Sequence, residues 1–329
     1  MDFIEYEDLT KELDVVHNTA LREAKADYAA TIMHIRPIES LNYTVKLAHG
    51  LRGLQGVGED GEFPSVKGKS GFKKTYEVNE LGGKFSITKK IMLGWREENG
   101  SVKDSVRNIT KSMYEDMDQL AADIFTNGFS TTFKSFGGSV DVDAACPNGK
   151  PLFSATHGNA VNNDVFSNII TDSSGTSNPA MSRDAIVTTR AKALKHRDPR
   201  PDGNKLVKPV ILDTVLCGPD LEDEANRILF SDKVSGGDDN DTNKTLKGLK
   251  LAVWPRLAAD SQGVAHPKKW FMLDSKNIAE SVHLISRQKP TMYTPVKTEK
   301  NETLIYKFDA YVGIAYKWPA FVYGSTGEN

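Results

Sequence analysis

Cysteine is scarce and long apolar runs are missing. Cys146 and Cys217 form neither a Cys-x-x-Cys pair nor any metal-ligand spacing, which excludes a zinc module and a disulfide framework and fits a reducing compartment. No run approaches the ~18 apolar residues of a membrane span. The opening residues, Met1-Asp2-Phe3-Ile4-Glu5-Tyr6-Glu7-Asp8, are acidic, the wrong sign for a secretory signal. Charge of either sign is not in excess: 42 basic and 44 acidic residues leave a net charge of −2, so no global basic field draws nucleic acid. Phosphate-loop, dinucleotide, His-x-x-x-His and Gly-x-Ser-x-Gly patterns are also absent, and no cofactor is expected. What remains is a polar globular chain, mean hydropathy −0.43. Its 329 residues suffice for two domains or one large domain with extensions.

The strongest pattern is an apolar stripe at Val102, Val106, Ile109, Met113, Met117, Leu120 and Ile124. Steps of three and four residues place it along one face of a long helix, 102–126. Ser101 is the expected N-cap and Asn127-Gly128 the expected close. A second long element follows from strict alternation: Leu304, Tyr306, Phe308, Ala310, Val312, Ile314 and Tyr316 share one parity. A strand of that length spans roughly 43 Å. A one-sided strand and a one-sided helix of similar length should pack together as an elongated platform.

Between these landmarks the chain reads as short elements. Residues 9–34 form an amphipathic helix with a thin stripe at Leu9, Leu13, Val16 and Ala20. It is either an arm that docks elsewhere or a peripheral helix of the same domain. Seven glycines and Pro64 fall within 50–71, flanked by β-formers at Tyr43, Val45, Thr75, Tyr76 and Val78, which reads as a long hairpin with a Gly-rich tip. Two more strands are expected around a Gly82-Gly83 turn. Asn178-Pro179 should start a helix running to about Lys195. Pro209 to Leu216 should be a buried strand, Gly218-Pro219 the start of a helix through Phe230, and Asn277 to Ile285 a short helix. Strands are expected at Leu249–Trp254 and Lys269–Leu273. The run from about 200 to 290 looks like a compact α+β unit.

Few residues suggest chemistry. His157, with Cys146 eleven positions earlier, could form a Cys/His dyad in a hydrolase, but a structural loop histidine accounts for it as well. Asp238, Asp239, Asn240 and Asp241 lack the alternation and terminal Glu of a calcium loop, so no metal is expected. Lys67, Lys69, Lys73 and Lys74 either guard a strand edge or meet an acidic face of a neighbouring subunit.

Several segments in order carry a family likeness. They are Thr75-Tyr76-Glu77-Val78, then Gly82-Gly83-Lys84-Phe85-Ser86-Ile87-Thr88-Lys89, the long helix, and Gly149-Lys150-Pro151-Leu152-Phe153-Ser154-Ala155-Thr156-His157-Gly158-Asn159. Lys208-Pro209, Val253-Trp254-Pro255-Arg256-Leu257 and Trp270-Phe271-Met272-Leu273 continue the series. Over about 40–320 the chain resembles the major capsid proteins of tailed bacteriophages, in the Mu-like prophage major head subunit group. The resemblance implies an α+β Hong Kong 97-type fold. Its parts would be an N-terminal arm (1–40), an extended-loop hairpin (41–80), a peripheral domain (81–200 and 290–329, with the spine helix) and an axial domain (201–289).

The implied function is a non-enzymatic head protein. It would assemble with itself into hexamers and pentamers, forming an icosahedral shell around packaged double-stranded DNA that it contacts non-specifically. The implied location is the virion, assembled in the host bacterial cytoplasm with no membrane partner. A separate scaffold protein, a portal and a maturation protease are implied partners. Leu54, Phe63, Lys67, Lys69, Lys73 and Lys74 of the hairpin, with Asp238 and Asp239 near a capsomer axis, are the expected assembly contacts. No motif matches the Lys–Asn crosslink of some relatives. A DNA-free protein nanocompartment of the same fold and the His157/Cys146 hydrolase remain the alternatives.

Overall fold

The computed structural model describes residues 3–23, 32–49, 61, 69–93, 99–158, 165–199, 205–231, 243–298 and 303–329. Its longest element is the spine helix Asn99–Thr126, 28 residues and about 42 Å at 1.5 Å per residue. The helix starts two residues before Ser101, which therefore lies in its first turn rather than at its cap. The stripe is buried as its spacing requires: Val102, Val106, Met113, Met117, Leu120 and Ile124 are all in the core. At the far end the Asn127 N–H donates to the Asp123 carbonyl and Lys269 Nζ to the Thr126 carbonyl, placing a cation at the helix's negative end. Gly128 is needed for space: a Cβ there would lie 2.7 Å from both the Ile124 carbonyl oxygen and the Phe153 ring.

The long strand Leu304–Tyr316 lies along this helix, as the matching lengths predict. Leu304, Tyr306, Phe308 and Ala310 pack in one cluster with Val102, Val106 and Met113. Val312, Ile314 and Tyr316 continue into a second cluster with Met117, Leu120 and Ile124. Fully burying side chains of this size stabilises by about 1.5–3 kcal/mol each, so this seam is the main support of the platform. The strand sits in a sheet ordered His34–Pro37, Val282–Met292, Leu304–Tyr316, with Asn79–Ile87 on its other side and Val296–Lys297 pairing near its start. His34–Pro37 runs parallel to its neighbour and the other pairings are antiparallel.

Four local expectations are corrected. Gly82-Gly83 is not a turn: both lie inside Asn79–Ile87, paired with Asp309 and Phe308. The segment expected as a helix from Asn277 holds one 3-10 turn, Ile278–Glu280, and then Val282–Met292, an inner strand of the platform sheet between His34–Pro37 and Leu304–Tyr316. A short apolar run such as Val282-His283-Leu284-Ile285 has no periodicity to separate the two states. The helix expected at Asn178 starts at Arg183, where the Ser182 hydroxyl accepts from the Ala185 N–H; Asn178 instead takes a left-handed φ of 59°. The strand expected from Pro209 is only Thr214–Cys217, and Ile211 is exposed.

The second sheet is ordered Lys250–Val253, Thr214–Cys217, Trp270–Leu273, Val322–Ser325. Both faces are covered, so its inner strands are continuously apolar. Val215, Cys217, Trp270, Met272 and Tyr323 face a cluster with helices Arg183–Leu194 and Glu222–Phe230. Leu216, Phe271, Leu273 and Val322 face the spine-helix core. Period-two alternation thus joins the two sheets through one shared layer.

Candidate assembly surfaces

The N-terminal helix is Phe3–Glu23; it begins earlier than expected, and 24–31 lie outside the described residues. Its stripe rests on this chain's own spine helix. Leu9 and Leu13 pack with Val102, Val106 and Phe308. Lys103 Nζ lies 2.8 Å from Glu12 and Lys111 Nζ 4.0 Å from Glu23. Of the two readings left open by the sequence, the peripheral-helix one describes this conformation. Its outer side carries Glu7, Asp8 and Asp14, with Val15 exposed.

The hairpin arms form a two-stranded ribbon, Asn42–His49 paired with Lys69–Glu77. Its tip residues 50–60 and 62–68, including Leu54, Phe63 and Lys67, lie outside the described residues, as do Asp238 and Asp239. The ribbon's base is anchored by burial of Val45 and Tyr76 in the spine-helix core. Gly313 allows the close crossing there: a Cβ would stand 2.7 Å from the Glu77 carbonyl oxygen. Lys74 belongs to the anchor as well. Its Nζ donates to Asp143 Oδ1 and to the Ala145 carbonyl, both at 2.7 Å. Lys69 pairs with His49, and Lys73 is exposed directly opposite Lys46. Two like charges facing each other across an antiparallel pair repel.

The structure does not join Cys146 and His157 as a dyad. Cys146 is buried, its thiol donates towards the Pro151 carbonyl at 3.8 Å, and burial pushes it far above its usual pKa, so no thiolate is available. His157 is fully buried in a different network. Its Nε2 faces two acceptors, the Leu152 carbonyl and Asn168 Oδ1, both at 3.1 Å, while Asn148 Nδ2 donates to Nδ1 at 3.1 Å. That pattern assigns the neutral Nε2–H tautomer. Burial lowers its pKa to about 4. His157 is a structural histidine.

The hub of that network, Asn168, escaped sequence reasoning. Its Nδ2 donates to the carbonyls of Leu152 (2.7 Å), Pro319 (3.1 Å) and Val322 (3.1 Å), and its Oδ1 accepts the Ser154 N–H at 2.9 Å. No spacing in the sequence marks it. It ties the 148–158 loop to the C-terminal segment, and so holds the shared layer between the sheets.

Among the described residues no helix is long and apolar enough to cross a membrane. The phage capsid protein family model matches residues 72–324. The chain belongs to the phage capsid protein family. As a capsid protein it is a shell-forming structural subunit, and its fold is the Hong Kong 97-type capsid fold. It is similar to a solved chain of Mycobacterium phage Adephagia at 12% identity and TM-score 0.51, covering 90% of this chain and 88% of that one. The capsid of Myoviridae phage XM1 matches at 10% identity and TM-score 0.50, covering 92% of each chain. The holo-SrpI encapsulin complex of Synechococcus elongatus PCC 7942 matches at 11% identity and TM-score 0.50, covering 92% of this capsid protein and 88% of that chain. No curated protein sequence matches the chain.

Proposed function

We propose that this capsid protein assembles into hexamers and pentamers that close an icosahedral phage head around double-stranded DNA. The family match over 72–324 carries the reading and favours a phage head over a cargo compartment. The likeness to an encapsulin complex is what supports the second reading, a DNA-free nanocompartment of the same fold. In this reading the platform sheet and spine helix form the peripheral domain and the second sheet with its two helices the axial domain, which shifts Arg183–Leu194 and Val322–Ser325 to the axial side and Val282–Met292 to the peripheral side of the division expected from the sequence (81–200 with 290–329, and 201–289). The ribbon reaches a neighbouring copy, where Lys73 and Lys46 meet acidic side chains and the residues about Leu54 and Phe63 bury apolar surface. DNA is contacted non-specifically, in keeping with the net charge of −2. A scaffold protein, a portal and a maturation protease act as separate partners in the host cytoplasm.

Deleting residues 50–71 tests the ribbon's role. The expected product is a soluble subunit that elutes as monomers or small oligomers and shows no closed particles in negative-stain micrographs. Closed particles of normal diameter would overturn the role given to the hairpin. Particles of the intact chain produced with the other phage proteins should protect DNA from nuclease. Particles that instead hold one protein cargo and no DNA would establish the nanocompartment reading.

A further inference from the structure

The N-terminal helix is held to the spine helix by a polar contact at the centre of an apolar seam. His17 is buried on the inner side of that helix, and its Nδ1 lies 2.8 Å from Thr110 Oγ1. The Thr110 hydroxyl already donates to the Val106 carbonyl at 2.9 Å, one turn back along the spine helix. Its remaining capacity is to accept, so His17 Nδ1 carries the proton and donates. Neutral imidazole and imidazolium can both donate this bond, so it is the ring's burial, 5% exposed and against Phe308 with centroids 5.9 Å apart, that disfavours the charged form. Above and below, Leu9, Leu13 and Ala20 complete the seam.

The geometry points to His17 as a pH-sensitive latch: with a neutral imidazole the N-terminal helix is docked on the spine helix, and a second proton at Nε2 releases it. Of the charged groups around the ring, Asp14 favours that proton, but by less than burial opposes it. On the N-terminal helix the nearest is Asp14, one turn away and exposed. On the spine helix Thr110 is flanked by two cations, Arg107 and Lys111, with Lys103 further along; they lie 3.7, 4.0 and 2.8 Å from Asp104, Glu23 and Glu12 respectively. From the long strand the facing group is the Phe308 ring. From Val282–Met292, the other strand against this helix, Met292 packs into the same cluster and the charged member near it, Lys289, is exposed. Burial holds His17 below its ordinary value, with Asp14 pulling weakly the other way.

The sign follows directly. A histidine lowered on docking gives its full contribution above its ordinary value of about 6.5, and loses it as pH falls from there towards the docked value. Burial raises the Asp14 carboxyl above its usual range, so its protonation as pH falls favours docking and does not cause release. Release as pH falls below about 6.5 therefore belongs to the imidazole. The exposed seam would be Val102, Val106, Leu304, Tyr306 and Phe308, a long apolar strip that a head in its neutral-pH form keeps covered.

The test is amide hydrogen exchange by mass spectrometry on the full chain at one assembly state, from pH 7.5 to 5.0 and corrected for intrinsic rates. Protection of residues 9–20 should fall by about tenfold per unit by which docking lowers the imidazole. Histidine C2-hydrogen exchange on the same samples should give His17 a midpoint below about 6.5 that coincides with the loss of protection. The variant His17→Asn keeps an N–H for Thr110 but does not titrate, so protection over 9–20 should become flat across this range. Equal protection at both ends of the range in the native chain would overturn the latch. So would a His17 midpoint that does not track the amides, a measurement that stands even where the variant weakens docking.

Discussion

Replacing Asn168 by alanine removes one side chain and unpairs three segments at once. The carboxamide supplies two N–H groups shared among the Leu152, Pro319 and Val322 carbonyls, and one oxygen that accepts from Ser154 N–H and His157 Nε2–H. The site is fully buried, so water cannot replace these partners. A buried group left unpaired costs about 1–3 kcal/mol. Leu152 and His157 retain each other, which leaves Ser154 N–H and two carbonyls as the main losses. The sum is about 3–9 kcal/mol, against a total of about 5–15 for an ordinary domain. Urea unfolding of the free subunit, followed by tryptophan fluorescence and far-UV circular dichroism, measures the loss. Asn168→Asp is the matched control: it keeps the shape but points a carboxylate at three carbonyls, and should be at least as damaging. A loss below about 1 kcal/mol for Asn168→Ala would refute the hub role, since that is the net worth of one ordinary hydrogen bond.

Two further outcomes follow from the same packing. His157 is neutral and buried with a pKa of about 4. Its contribution is therefore complete above pH ~6.5 and declines to a loss on the order of 3 kcal/mol below pH ~4. His157→Gln should flatten the subunit's stability-versus-pH slope in that window by up to one proton, and an unchanged slope would count against the assignment. Gly313→Ala should cost about 1–3 kcal/mol, because the new Cβ would sit 2.7 Å from the Glu77 carbonyl oxygen. Gly83→Ala, with nothing within 4 Å of its Cβ, should change stability by less than about 0.5 kcal/mol. Equal effects in the two urea titrations would contradict the close crossing of the ribbon.

The ribbon's arms could be read because β-formers flank a glycine run too poor in apolar residues to form a core. Its anchoring could not: Lys74 reads as a surface lysine until Asp143 and the Ala145 carbonyl are brought to it from about seventy positions away. The N-terminal helix was legible as amphipathic, but a thin stripe does not name the surface that covers it. Gly82-Gly83 misled because adjacent glycines usually mark a turn. Here they lie within a strand held by its partner, the long strand.

The spine helix and the long strand follow from the residue order alone. Each repeats one spacing over many residues, and backbone periodicity converts that repeat into a single buried face without reference to the rest of the chain. Their equal lengths were enough to pair them. Long-range packing is what makes Val282–Met292 a strand, puts Cys146 and His157 in separate networks, and joins Asn168 to Leu152, Pro319 and Val322. A short apolar run suits either helix or strand until neighbours supply its hydrogen bonds. A buried polar side chain, likewise, acquires its role from partners distant in the chain, whose arrival no local spacing records.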